Sequence, residues 1–62
     1  MITTYSKTTD LQTITFKLRT DEATGIVLVS VGEQTVEAPL EDANKLEWSL
    51  LEMGYTRSVA YS

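Results

Sequence analysis

IVLVSV, residues 26–31, decides the fold. A β-strand turns successive side chains to opposite faces, so Val27, Val29 and Val31 share one face, and Ile26 and Leu28 share the other with Ser30. A strand apolar on both faces asks for cover on both. The chain offers one amphipathic helix, enough for one face. What covers the second face bears on function.

Both flanks of this strand supply partners. LQTITFKLRT, residues 11–20, alternates: Ile14, Phe16 and Leu18 point one way, and Thr13, Thr15, Lys17 and Arg19 the other. That is a half-buried strand rich in β-branched and aromatic residues. DEATG, residues 21–25, is a turn whose Gly accepts a positive φ. Gly32-Glu33 suits a two-residue type II′ turn. TVEA, residues 35–38, is a third strand, and Pro39 ends it because proline cannot donate to a ladder.

A one-residue slip turns every side chain over, so matching faces set the register. Pairing Thr20 with Gly25 puts Leu18 by Val27, Phe16 by Val29 and Ile14 by Val31. The second turn puts Val29 by Val36 and Val27 by Ala38. These residues form an inner face. The outer face collects Thr13, Thr15, Lys17, Arg19, Ile26, Leu28, Ser30, Thr35 and Glu37.

LEDANKLEWSLLEMG, residues 40–54, is the helix. At 100° per residue, Leu40, Ala43, Leu46, Leu50, Leu51 and Met53 make one broad apolar stripe. Glu41 and Asp42 complement the helix dipole in the first turn. No good N-cap residue precedes them, whereas Gly54 is a good C′ residue. YTRSVAYS, residues 55–62, is a last strand with Tyr55, Arg57, Val59 and Tyr61 on one side. Residues 1–10, rich in Thr and Ser, read as a loose arm or a short edge strand through Ile2, Thr4 and Tyr5. The fold class is therefore α+β. One domain over residues 1–62 forms a two-layer sandwich, β-β-β-α-β, an arrangement common among small bacterial and phage proteins. The last strand should run parallel to the first and third and lie beside the first.

Composition narrows the function. The 62 residues include no Cys and no His, so disulfides, the usual metal ligands and the usual neutral-pH acid/base are missing. A core this small is marginal and often leans on association. The absence of Cys fits a reducing, cytoplasmic compartment. No run of about 18 apolar residues is present to span a membrane, and MITTYSKTTD lacks the apolar centre of a signal peptide. Net charge is −4. It is uneven: residues 1–20 are net +2, residues 21–52 are net −7, and Arg57 adds one positive charge. Phosphate backbones repel such a chain, so duplex nucleic acid is a poor partner.

No catalytic constellation stands out. Ser6, Ser30, Ser49, Ser58 and Ser62 have no base beside them in any nucleophile signature. There is no glycine-rich phosphate cradle and no EF-hand spacing. The pairs Asp21-Glu22 and Glu41-Asp42 sit at a turn and a helix start, where acids serve local ends. No cofactor, metal or small-molecule substrate is implied, and the chain is not expected to be an enzyme.

Two helix residues are less ordinary. Glu47 falls at the angular centre of the apolar stripe, where a carboxylate is rare unless paired. It either bends past Ala43 to water or pairs with Arg57 or Lys17. Trp48 lies about 60° beyond Leu51, at the rim of the stripe. There it either caps the edge of a small core or anchors a contact. The outer face is left wet, covered by the N-terminal segment, or covered by another chain. Taken together, these features predict a small acidic protein-binding module, an inhibitor, adaptor or assembly factor, whose partner is another protein or a second copy. Its expected contact residues are Lys17, Arg19, Ile26, Leu28, Glu41, Trp48 and Glu52. Two alternatives stand beside this: a sheet that stacks single-stranded nucleic acid with Lys17, Arg19, Arg57 and the tyrosines, and a purely homo-oligomeric structural protein.

Overall fold

The computed structural model describes residues 1–60. The elements are β1 (Ile2–Thr8), β2 (Thr13–Asp21), β3 (Ile26–Val31), β4 (Gln34–Pro39), α1 (Leu40–Glu52) and β5 (Thr56–Ala60). The strands form one antiparallel sheet in the order β4-β3-β2-β1-β5, with α1 against one face. This is the α+β sandwich expected, with one strand more.

The strand offered for residues 1–10 forms, and its place in the sheet is the main correction. Residues 2–8 are neither an arm nor an edge, because β1 lies between β2 and β5. Alternation along ITTYSKT turns Thr3, Tyr5 and Lys7 to the helix side and Ile2, Thr4, Ser6 and Thr8 outward. Tyr5 is fully buried and Thr3 nearly so. One aromatic among β-branched threonines is enough for a central strand, although too weak a pattern to read as one. β5 still runs parallel to β2 and β4 in direction, but its neighbour is β1, which it pairs antiparallel. Tyr61 and Ser62, assigned by sequence to the last strand, lie outside the described residues.

The β3–β4 register is as expected, with Val29 opposite Val36 and Val27 opposite Ala38 around a turn in which Gly32 takes φ 61°. Between β2 and β3 the pairing slides by two: Phe16 faces Val31, Leu18 faces Val29 and Asp21 faces Ile26. An even slide leaves every side chain on its face. The cause is Asp21, which closes the turn: its Oδ1 accepts from the Ala23 N–H at 3.0 Å, and its carbonyl accepts from the Gly25 N–H at 2.9 Å.

β4 and β5 form opposite edges of the five strands, so α1 must carry the chain across the whole sheet. Its 13 residues span about 20 Å at ~1.5 Å each. Four strand spacings of ~4.8 Å come to about 19 Å. The helix starts beside β3, where the Leu40 N–H donates to the Gly25 carbonyl at 3.0 Å. It ends beside β1, where Lys7 Nζ donates to the Met53 carbonyl at 2.7 Å. The last turn has no basic residue of its own, so Lys7 supplies the cation that its carbonyl end favours.

This diagonal path rotates the buried seam about 50° away from Glu47. Ala43 and Leu50 are buried, Leu46 is half-buried, and Leu40, Leu51 and Met53 are exposed. The core is Tyr5, Leu18, Val27, Val29, Ala43 and Leu50, with Phe16, Ala38, Leu46 and Tyr55 packed around it. Phe16 is half-buried beside Val31 and meets Tyr55 edge-on, with 5.7 Å between ring centroids. At the far corner of the inner face, Val31 and Val36 remain exposed.

Candidate functional site

The seven expected contact residues fall on two opposite surfaces. Lys17, Arg19, Ile26 and Leu28 lie on the outer face of the sheet. There the register builds one row of Ile2, Arg19, Leu28 and Glu37, and another of Thr4, Lys17, Ser30 and Thr35. Hydroxyls dominate around them and bond one another across strands: Ser6 with Thr15 at 3.3 Å, Thr8 with Thr13 at 3.1 Å, and Ser30 with Thr35 at 3.0 Å. β1 is built into the sheet and does not fold over this face. The face is open, with Ile26 and Leu28 exposed among polar neighbours. At its upper end an open groove of about 660 Å³ is lined in part by Ile2, Arg19, Asp21, Glu22 and Leu28. Among the described residues no aromatic ring reaches this face, since Tyr5, Phe16 and Tyr55 pack in or around the core and Trp48 is on the helix.

Leu28→Lys tests this surface. Its side chain makes no part of the core, so the variant should melt within about 0.5 kcal/mol of the parent, as surface substitutions do. A partner seated on the outer face would lose affinity at once. Unchanged association by a folded Leu28→Lys protein would clear the face of any role.

Glu41, Trp48 and Glu52 lie on the other side of the molecule. With the seam at Ala43 and Leu50, all three point within about 30° of the direction opposite it. Trp48 is therefore not at a rim capping the core. It is 70% exposed, in the middle of the solvent face of α1. One turn away lie Asn44, Lys45, Leu51 and Glu52. The helix carries Glu41, Asp42, Glu47 and Glu52 against Lys45 alone.

Glu47 is half-buried at the edge of the seam. Lys17 lies across the sheet from it, so the pairing considered between them does not form. No ion pair forms between Glu47 and Arg57 among the described residues either; both act on Tyr5, whose cross-strand neighbour is Arg57. The Tyr5 hydroxyl is buried with no hydrogen-bond partner. Burial pushes its pKa above the ordinary 10.0, the negative charge of Glu47 pushes the same way, Arg57 opposes them, and the attraction of the phenol proton to the Glu47 carboxylate, which lies outside hydrogen-bond distance, adds a smaller upward push. A phenol sealed in this way reaches no substrate.

Two further apolar residues at the surface lie outside the expected contact set. Ile2 joins the outer face through β1. Leu11 opens the strand expected over residues 11–20, yet β2 begins at Thr13. Leu11 is 95% exposed at the tip of a turn closed by the Thr9 N–H donating to the Gln12 carbonyl at 2.8 Å. The Thr9-Asp10 pair before it is the available turn signal. Among the described residues no three potential metal ligands converge, and no helix is long and apolar enough to cross a membrane. The chain matches no family model, no curated protein and no solved structure.

Proposed function

We propose that this chain is a non-catalytic protein-binding module, an inhibitor, adaptor or assembly factor of the cytoplasm, and that Trp48 is its anchor. The observation that carries the reading is the exposure of Trp48 on a helix face that has no structural use for it. An indole contributes to stability by leaving water, and this one stays in water. Trp is the residue type most enriched among interface hot spots, and a central aromatic within a polar rim is their usual arrangement. Glu41 and Glu52 give that rim an acidic character, which favours a basic partner surface and speeds encounter with it.

The test is capture from the native cell with immobilised parent and Trp48→Ala proteins. Trp48→Ala should keep the melting temperature, because the ring supports no core contact. It should lose at least about 2 kcal/mol of binding to the captured protein, the size of a hot-spot truncation. Equal capture by both proteins would remove Trp48 from the interface.

A further inference from the structure

We infer that β4 is a dimerisation edge, and that two copies of this chain join there, antiparallel, about a two-fold axis at Val36. This inference goes beyond the Trp48 surface and does not depend on it.

The first step is to find which backbone groups of β4 are free. In a two-residue hairpin the residues flanking the turn form a hydrogen-bonded pair, and bonded and non-bonded pairs then alternate. Val31 and Gln34 flank Gly32-Glu33, so Gln34, Val36 and Ala38 bond to β3. Thr35, Glu37 and Pro39 turn their backbone outward. Pro39 confirms the phase, since it has no N–H to give, and the next residue, Leu40, donates inward to Gly25. The edge thus presents the N–H and C=O groups of Thr35 and Glu37, with Val36 between them. Such a row takes an extended strand as its partner.

A second β4 fits this row in register. With the axis at Val36, Thr35 of one copy exchanges both backbone hydrogen bonds with Glu37 of the other, and the reverse, so neither acid directly faces an acid. Val36 meets its own copy as a non-bonded pair, the closer of the two pair types. That contact buries a valine now 58% exposed. The pairing also serves the bare corner of the inner face. The helix begins at the Pro39 end of β4 and leaves the Gln34 end open, where Val31 is exposed. Antiparallel pairing brings the Pro39 end of the second copy, with exposed Leu40 and the start of its helix, to that open end. Because one edge strand pairs with itself, the assembly closes at two chains.

The experiment is analytical ultracentrifugation over a concentration series, on the parent and on Val36→Lys, Glu37→Pro and Trp48→Ala. The parent should pass from monomer to dimer and no further. Val36→Lys places like charges at the axis and should weaken dimerisation about tenfold or more, which corresponds to about 1.4 kcal/mol. Glu37→Pro removes an outward N–H that the monomer does not use, so it should keep a cooperative melt and lose the dimer. Trp48→Ala should dimerise like the parent, which separates this claim from the Trp48 reading. Val36→Cys gives a second readout: a non-bonded antiparallel pair brings Cα atoms to about 4.5 Å, within reach of a disulfide. Oxidation should therefore link two chains, whereas Leu28→Cys on the outer face should not link them. A parent that stays monomeric with no Val36→Cys cross-link would overturn the inference. So would association that ignores Val36→Lys and Glu37→Pro, or that grows past two chains.

Discussion

Leu50→Ala should remove about 2–5 kcal/mol of stability, the cost of truncating a fully enclosed leucine. Leu50 has no exposed surface, and it sits where α1 meets the core. A chain of this length holds roughly 3–9 kcal/mol in total, at about 0.05–0.15 kcal/mol per residue. Leu50→Ala therefore leaves a protein at or near the edge of folding. Its neighbour is the control. Leu51 is exposed, so Leu51→Ala should cost about 1 kcal/mol or less. A stripe centred on Glu47 would place the two leucines nearly alike, and denaturant titration of both variants separates the two orientations of the helix. Equal losses would mean that the seam lies where the wheel alone puts it.

Tyr5 supplies the second large effect. Tyr5→Ala should cost about 3–5 kcal/mol, as for other buried aromatic rings. Were residues 1–10 an arm, the same change would be almost silent. Tyr5→Phe should behave differently. It removes a buried hydroxyl whose one polar neighbour, the Glu47 carboxylate, lies outside hydrogen-bond distance, so its stability should change by less than about 1 kcal/mol, in either direction. The pH dependence follows from the raised pKa. Below 10.0 the phenol is protonated in both folded and unfolded chains, and the contribution is fully present. As pH rises above 10.0 the unfolded chain loses the proton first, so stability falls with pH until the folded phenol also titrates. Melting curves between neutral pH and about pH 11 should show this alkaline loss in the parent and a shallower one in Tyr5→Phe. Identical slopes would mean that burial and Glu47 do not disfavour the phenolate.

The strands legible in sequence were those with strict alternation. Ile14, Phe16 and Leu18, and the three valines of β3, fixed their faces without help from the rest of the chain. A register error of two residues did no harm, because strand faces repeat every two. The central place of β1 was not legible, since threonine suits either face of a strand and its two strong apolar residues, Ile2 and Tyr5, fall on opposite faces. The helix was legible in extent but not in rotation. Its stripe is wider than the seam it buries, and the diagonal crossing from β4 to β5 selects which part of the stripe goes inside. That rotation moved Trp48 from a rim to the middle of an exposed face and moved Glu47 from the centre of the stripe to its edge. Of the contact residues expected, the outer-face group of Lys17, Arg19, Ile26 and Leu28 followed from alternation alone. The group of Glu41, Trp48 and Glu52 depends on tertiary packing that periodicity cannot encode.

Trp48 is the single tryptophan of the chain, so its fluorescence reports on the proposed anchor without interference from another indole. The decisive measurement is acrylamide quenching of Trp48, in the free protein and in its complex with the captured partner, with complex formation verified independently by mass. The account predicts an indole open to quencher in the free chain, and shielded and blue-shifted in the complex. A complex that forms fully while Trp48 stays as accessible as in the free chain would contradict it.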